Sequence, residues 1–355
     1  MQVRRILFQL AVVSWPFSAG PIIAETAKKG ATKQMQPEES EFLVLGAGMA
    51  GLAAARCLQE AGRSVLVLDK GRRIGGRCAT RRIAGFSFDH GAQYVTARGP
   101  DFASLCEAAR QAGLLAEWVS PAGKNVLSGR QAMRDLPGFL GQGLTIRQEV
   151  EITRIHREAG RYHLFAGQQL VARAEKLVLS APAPQTAGLL DGLSDRLAAS
   201  ARLARYDPCW TVLLGFVQPA FPPDGAAEDA DGPVSWARWQ SRHRRCSLVL
   251  QAGPDWSRQW LEAPAEQVTD TIWQAFRGRA VQEKAAAPSG WLNASPAYAA
   301  AHRWLYARLA RAVPEEAPRL SADKSLCLAG DWLAGPRVEA AWQSGRQAAT
   351  ALLAG

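Results

Sequence analysis

Gly46, Gly48 and Gly51 lie in "VLGAGMAGL", directly after the apolar run "EFLVL". A second short apolar run, "SVLVL", ends in Asp69, and Gly75, Gly76 and Arg77 follow in "DKGRRIGGR". Between the runs, the alanine-rich "AGLAAARCLQEAG" predicts a helix closed by Gly62. Strand, glycine turn, helix and strand together give a glycine pattern its chemical meaning. Gly46 permits the tight turn, Gly48 lets the backbone approach a diphosphate, and Gly51 lets helix and strand pack closely. The helix N-terminus then faces the phosphates, and Asp69 can accept from a ribose hydroxyl. NAD, NADP or FAD would each satisfy this arrangement.

The next glycines narrow the choice. Gly75 and Gly76 allow a second close backbone approach to a diphosphate, and Arg77 can pair with it. A matching segment lies at the far end of the chain, "LAGDWLAGPRVEAA". There Asp331 can bond a ribityl hydroxyl, and Pro336 pre-sets the first turn of a helix. The positive end of that helix suits the N1–C2=O edge of a reduced flavin. FAD needs such a second holding point because its isoalloxazine extends far from the adenine; a nicotinamide dinucleotide does not. Asp331 also reads simply as a helix cap.

These residues need a scaffold built from both ends of the chain. Strand-like runs recur at "LTIRQEVEITRIHRE", "RYHLFA" and "EKLVLSAPAP", the last broken by Pro182 and Pro184. Residues 185–320 are rich in Trp and Arg, with strands at "CWTVLLGFV" and "RCSLVLQA", a helix near 264–277 and a polar loop at "FPPDGAAEDADGP". The end reverts to strand, "SLCLAG", and helix, "RVEAAWQSGRQAATALL". The expected fold is α/β: a discontinuous Rossmann-type FAD-binding domain (41–100, 144–182, 320–355) with an inserted sheet-based substrate domain (101–143, 183–319). Residues 1–40 form an N-terminal extension.

The formal charge is +10, of which +4 falls in residues 1–34. The remainder suits an anionic small molecule better than nucleic acid. Six scattered cysteines show neither metal spacing nor a disulfide framework, as in a reduced cytoplasmic protein, and no metal is expected. "MQVRRILFQLAVVSWPFSAGPIIA" has the basic start and apolar run of a signal peptide, which would mean export, while Met35 offers an alternative start just before the first strand. No later run reaches the ~18 apolar residues of a membrane span.

Taken together, the quoted glycine segments, "FDHGAQYVTAR" (88–98), "DPCWTVLLGF" (207–216), "AHRWLYAR" (301–308) and "GDWLAGPRVEAAWQSG" (330–345) resemble the flavin amine oxidase superfamily and, within it, the bacterial renalases. The resemblance covers nearly all of residues 41–355. It implies a FAD domain plus a smaller sheet domain with the substrate pocket over the flavin. It also implies oxidation of 2- and 6-dihydroNAD(P) isomers to NAD(P)⁺, with oxygen reduced to hydrogen peroxide. Carried over by position, Gly46, Gly48, Met49, Gly51, Asp69, Lys70, Gly76 and Arg77 line the adenosine and pyrophosphate end. Gln93, Tyr94, Val95, Thr96, Ala97 and Arg98 lie along the cofactor, Val150 is near the adenine, and Asp331, Arg337 and Val338 hold the ribityl chain and flavin. One departure concerns "SGRQAMRDLPGFLGQGLT", shorter than in relatives, where only Pro137 and Gly138 match and Phe139 replaces Met.

Hydride loss from a dihydropyridine restores aromaticity and needs no general base, so no catalytic acid–base residue is assigned. The site must stack the ring at near-attack distance and hold its phosphates. "VSWARWQSRHRRC" offers Trp236 and Trp239 with Arg238, Arg242, Arg244 and Arg245, either a pocket rim or a basic edge strand over core tryptophans. Strand alternation puts His302, Trp304 and Tyr306 on one face and Arg303 on the other. From the pattern alone that face reads as core; the resemblance makes His302 and Trp304 a flavin-facing wall. Trp210 and Gln251 are further pocket candidates, while His90 and Gln93 are expected to orient backbone near the cofactor. A monoamine or polyamine oxidase, and a non-catalytic FAD-binding redox sensor, are the alternative readings.

Overall fold

A computed structural model describes residues 36–217, 224–229, 233–242, 244–282 and 294–355. The signal-peptide and Met35 readings lie outside the described residues, as does the side chain of Arg242. The chain opens with strand β1 (Glu38–Leu45), helix α1 (Met49–Glu60) and strand β2 (Val65–Leu68). Two hairpins follow, β3 (Thr80–Ile83) with β4 (Phe86–Asp89) and β5 (Leu115–Val119) with β6 (Asn125–Gly129). Helix α2 (Pro100–Gln111) separates them and α3 (Asp135–Leu140) comes next. Then come β7 (Thr145–Arg147), β8 (Arg154–Glu158), β9 (Arg161–Ala166) and β10 (Gln169–Leu179), with helices α4 (Ala183–Leu190) and α5 (Asp195–Ala201). The next stretch holds β11 (Arg205–Val217), β12 (Gly225–Glu228), β13 (Val234–Arg242), β14 (Arg245–Ala252), α6 (Pro254–Gln259), α7 (Ala265–Gln282) and β15 (Tyr298–Arg311). The chain closes with β16 (Leu326–Leu328), a 3₁₀ turn (Asp331–Leu333) and α8 (Val338–Leu353).

One sheet runs β7-β2-β1-β10-β9-β8, with β16 also on β10. Strands β7, β2, β1, β10 and β16 are parallel, whereas β9 and β8 join antiparallel. Strand β1 reads as a continuous apolar run because both of its faces are covered. Phe42 and Val44 pack with α1 and α8; Leu43 and Leu45 pack on the other side with α4 and α5. Each such side chain, fully buried, contributes about 1.5–3 kcal/mol.

The second sheet, β12-β13-β14-β11-β15, is antiparallel. Its alternation sends Trp210, Val212, Leu214 and Phe216 to a core under α7. Leu213 and Val249 face the other way, against Phe86 and Phe88 of the β3–β4 hairpin. That hairpin therefore stands between the glycine turns and the second sheet.

Three sequence boundaries shift. Residues 101–143, assigned above to the inserted region, send Phe102, Cys106, Ala109, Leu115, Met133, Leu136 and Leu140 into the core around α1 and α8. Residues 183–204 likewise cover the first sheet through Leu190, Leu197 and Ala201, so the second sheet begins only at Arg205. Both shifts follow from apolar helix faces whose partner the sequence pattern does not name. The polar stretch read as loop contains β12, an edge strand on β13.

Helices α1 and α8 meet backbone to backbone. A Cβ on Gly345 would stand 2.0 Å from the Ala50 carbonyl oxygen, inside van der Waals contact. Gly345→Ala is expected to force the two helices apart and cost about 3 kcal/mol or more. A urea midpoint within error of wild type would refute this.

Candidate active site

The carboxyl ends of the parallel strands converge, which is where open α/β sheets bind ligands. Gly46 follows β1, Asp69 follows β2, Ser180 follows β10 and Asp331 lies just past β16. Gly46 has φ 109°, and a Cβ on Gly51 would stand 1.9 Å from the Gly46 carbonyl oxygen, so both positions require glycine. Ser180 Oγ lies beneath this turn, donating toward the Leu45 and Gly46 carbonyls at 2.9 and 3.1 Å. A Cβ on Gly48, by contrast, would meet nothing within 4 Å. The second glycine turn joins the first: Gly75 N–H donates to Ala47 O at 2.8 Å. A Cβ on Gly76 would stand 3.3 Å from Gly48 Cα. Two bare backbone turns side by side form a cradle that can admit a diphosphate.

Asp69 organises the same turn. Its carboxylate accepts from Ala47 N–H at 2.6 Å and from Gly71 N–H at 2.7 Å. Beside it, Val150 N–H donates to Asp69 O at 3.0 Å, and Lys70 pairs with Glu151 at 3.7 Å. Val150 and Lys70 thus stand beside Asp69. Met49 is buried in the first turn of α1 and packs in the core below the cradle.

Arg77 and Asp331 meet. The guanidinium donates to both carboxylate oxygens, Nη1 to Oδ2 at 2.7 Å and Nη2 to Oδ1 at 2.6 Å. Burial opposes the Arg77 charge, but the charge and hydrogen bonds of Asp331 outweigh it and raise its proton affinity. Arg77 was expected to pair with a diphosphate and Asp331 with a ribityl hydroxyl. In this structure the two also pair with each other, because the buried Asp331 carboxylate needs a partner. Tyr206, which the sequence reading passed over, stands by this pair with its hydroxyl 3.5 Å from Asp331 Oδ1. Burial, followed by the Asp331 charge, raises its pKa, so the phenol keeps its proton.

Segment 90–99 runs between the sheets, and its backbone is held at nearly every step. Trp304 Nε1 donates to His90 O at 2.8 Å, and Gln251 Nε2 donates to Gly91 O at 2.8 Å. Gln93 Nε2 bonds Asp89 O and Gly91 O, while Arg238 Nη1 donates to Gln93 O at 2.5 Å. Val95 bridges to Leu127, and Tyr94 packs its ring against Trp118 and Trp236. Thr96 is half-buried; Ala97 and Arg98 are exposed. The Arg98 and Gly99 N–H groups donate to Glu339 at 3.1 and 2.6 Å. Glu339 is buried in the first turn of α8, next to half-buried Val338 and exposed Arg337.

The substrate candidates divide. His302 and Trp304 do share a face, packed edge-on at 4.5 Å between centroids, with His90 stacked on Trp304 at 5.2 Å. Trp236 faces the same segment. Trp210 does not: it points into the α7 core, with Nε1 donating to Trp260 O. Arg238 is no phosphate-facing rim residue either. It is buried, and besides Gln93 it bonds Ser128 Oγ at 2.8 Å and lies over the Trp118 ring. A guanidinium buried among aromatics must spend its donors locally. Arg245 likewise donates to Ala84 O and lies over Phe86, and Trp239 packs in the α7 core.

Some of the enclosed polar atoms left without a partner lie on or against segment 90–99. His90 Nδ1, Gln93 Oε1 and Trp236 Nε1 are all buried and unbonded. Burial first, then His302, Arg81 and Arg134, pushes the His90 imidazole down to about 3, and burial and Arg81 also lower His302. Both rings are therefore neutral near pH 7. The buried carboxylates of this region, Asp89, Asp331 and Glu339, each accept hydrogen bonds. Burial holds the Cys78 thiol, next to Arg77, up at about 12. Among the described residues no cluster of ligating side chains could hold a metal ion, and no helix is long and apolar enough to cross a membrane.

Residues 44–109 match the family described as NAD(P)-binding Rossmann-like domain, and residues 113–353 match flavin containing amine oxidoreductase. The chain belongs to the flavin-containing amine oxidoreductase family. Its cofactor is FAD, and the bare glycine cradle suits that cofactor's diphosphate. Putrescine oxidase of Kocuria rosea is 40% identical over 76 residues, covering 21% of this chain and 15% of that protein. Human all-trans-retinol 13,14-reductase is 40% identical over 68 residues, 19% of this chain and 11% of that protein. The chain thus spans well under a quarter of the length of these curated relatives. Among solved structures, cyclohexylamine oxidase from Brevibacterium oxydans superposes with a TM-score of 0.68 at 15% identity, covering 88% of this chain and 98% of that one. That likeness establishes the two-part amine oxidase-like fold, α/β with a Rossmann-type FAD-binding portion.

Two outcomes are expected here. Removing the Asp69 carboxylate in Asp69→Ala leaves two backbone N–H groups without an acceptor, a loss of roughly 1–3 kcal/mol, and should lower the fraction of flavin retained on dialysis. Full retention would count against the role. The second concerns acid. The folded His90 titrates near 3 and the unfolded imidazole near its ordinary 6.5. Between those values the unfolded chain binds the extra proton, so stability is full above ~6.5 and falls as pH drops toward ~3. His90→Gln should lose stability less steeply than wild type between about pH 6.5 and 4. Parallel urea midpoints across that range would contradict it.

Proposed function

We propose that the protein oxidises 2- or 6-dihydroNAD(P), releasing NAD(P)⁺ and passing the electrons to oxygen to form hydrogen peroxide. The observation that carries this reading is the group His90, His302, Trp304, Tyr94 and Trp236, a neutral aromatic set under the positive influence of Arg81 and Arg134. An anionic substrate with a flat, uncharged ring suits such a set, whereas a protonated amine would be repelled by the arginines and find no free buried carboxylate. The "AHRWLYAR" and "GDWLAGPRVEAAWQSG" segments support the same reading.

Bound FAD supplies a two-electron acceptor that oxygen restores. The residues that would hold it are Gly46, Gly48, Gly51 and Gly76 at the diphosphate, Asp69, Lys70 and Val150 at the adenosine end, and Arg77, Asp331, Arg337 and Val338 toward the ribityl chain and ring. Met49 supports this cradle from below, and Gln93 to Arg98 run alongside. FAD is held without a covalent bond in this reading, since the glycine segments carry no attachment motif.

His302, Trp304 and Trp236 wall the substrate ring and exclude water, which is where the rate is gained. No side chain has to remove a proton: the ring carbon gives up a hydride, aromaticity returns, and oxygen takes that hydride plus a solvent proton. Trp304, Arg238 and Gln251 act as positioning residues, fixing the backbone of 90–93. The relatives named as amine oxidases favour a second reading, oxidation of a small amine.

Anaerobic mixing of oxidised protein with the 2-, 4- and 6-dihydro isomers of NADH and with a panel of amines separates the two. Rapid bleaching is expected with the 2- or 6-isomer. The 4-isomer should be slower, by about 10²-fold, because a displacement of about 1 Å at the reacting carbon has that effect. Bleaching by an amine alone would replace this reading with the second.

A further inference from the structure

Several arginines of this chain are matched to carboxylates, among them Arg63 to Glu41, Arg110 to Glu107, Arg147 to Glu38, Arg157 to Asp323 and Arg173 to Glu39. Among the described residues Arg73, Arg81 and Arg134 have no carboxylate within ion-pair distance, and Arg82 has one at the edge of reach. Arg81 and Arg82 stand on β3, Arg134 caps α3, and Arg73 belongs to the second glycine turn. Hydrogen bonds lock these elements together. Thr80 Oγ1 donates to Asp89 at 2.5 Å and accepts from Arg134 N–H at 3.3 Å, while Met133 N–H donates to Asp89 at 3.0 Å. A Cβ on Gly75 would stand 3.6 Å from Arg134 Cγ and 3.1 Å from Pro137 Cγ, so the arginine lies against the turn itself.

Among the described residues, one carboxylate comes within ion-pair reach of these four, Asp135 at 4.0 Å from Arg82. Arg134 Nε is enclosed with no acceptor. Burial, then Arg73 and Arg82, lower the proton affinity of Arg134, and the charge of Arg81 is felt at both His90 and His302. Arg134 with Arg73 and Arg82, set against Asp89 and Asp135, leaves a positive excess that works against folding through self-repulsion. A doubly charged anion reverses that penalty, and the planar fork of arginine matches phosphate oxygens two at a time.

We propose that Arg73, Arg81, Arg82 and Arg134 form the subsite for the diphosphate of the dinucleotide substrate, with Arg81 on the side toward His90 and His302. The assignment to substrate rests on the reading under Proposed function. It replaces the β13–β14 arginines as anion partners, since Arg238 and Arg245 are committed elsewhere.

The test titrates oxidised, FAD-loaded protein with inorganic pyrophosphate and with NAD⁺, by calorimetry at low and high salt. Wild type should bind both, more weakly at high salt. Arg81→Gln/Arg134→Gln should bind each at least tenfold more weakly with its flavin content intact, and Arg110→Gln should match wild type. In turnover, the double variant should raise KM tenfold or more for the 2- or 6-dihydro dinucleotide and leave kcat unchanged. For the matching dihydronicotinamide riboside, which has no phosphate, KM should not move. Should the first pair impair folding, the exposed pair Arg73→Gln/Arg82→Gln carries the same expectations. Unaltered pyrophosphate affinity in both pairs overturns the proposal, as does loss of flavin, which would assign the cluster to the cofactor. If no dihydro isomer bleaches the flavin but pyrophosphate binding still depends on these arginines, the substrate reading falls while the anion site stands.

Discussion

The Arg77–Asp331 ion pair joins residues 254 positions apart, the second glycine turn to the turn after the last strand. The buried Asp331 charge could not stand alone; an unpaired ion in such a place costs several kcal/mol. The pair therefore stands only when β1, β2, β10 and β16 are in register and the C-terminal helix has returned to α1. Glu339 makes a similar demand one turn further on, because its buried carboxylate is satisfied by backbone N–H groups of Arg98 and Gly99. Together these contacts make the site a product of the completed fold rather than of the N-terminal βαβ unit alone.

From there the architecture follows. Bare glycine backbone gives the cradle its shape, and the closest approaches, Gly51 on Gly46 and Gly345 on Ala50, leave no space for any side chain. The β3–β4 hairpin carries that rigidity toward the second sheet through Phe86 and Phe88. The second sheet returns it through Trp304, Gln251 and Arg238, each of which bonds main-chain oxygen of segment 90–93. Side chains that look like ligand contacts in the sequence turn out to hold the wall on which contacts are mounted.

The glycine turns, Asp69 and the Asp331 turn were legible because backbone conformation and strand ends leave residue-type signatures. The face shared by His302 and Trp304 was legible from two-residue alternation, and the same alternation placed Arg303 opposite. Burial partners were not. Nothing in "VSWARWQSRHRRC" says that Arg238 spends its donors on Gln93 O and Ser128, since an inward arginine and a rim arginine have the same spacing. Residues 101–143 carry a clear apolar helix face, but a face does not name the sheet it will cover. Glu339 and Ser180 went unnoticed because their partners are main-chain groups, which every residue has. Thr80 and Arg134 are far apart in sequence, and only the hairpin's hydrogen bonds bring them together.

The cysteines have a bearing on durability. Burial raises the thiols of Cys78, Cys106 and Cys327 to about 12 and those of Cys209 and Cys246 to about 11. Peroxide attacks the thiolate form, and the first product of that attack opens the way to irreversible acids. In the oxidase reading proposed above, the protein would make its own oxidant. Keeping these sulfurs protonated and out of solvent lets such a protein survive many cycles of its own chemistry.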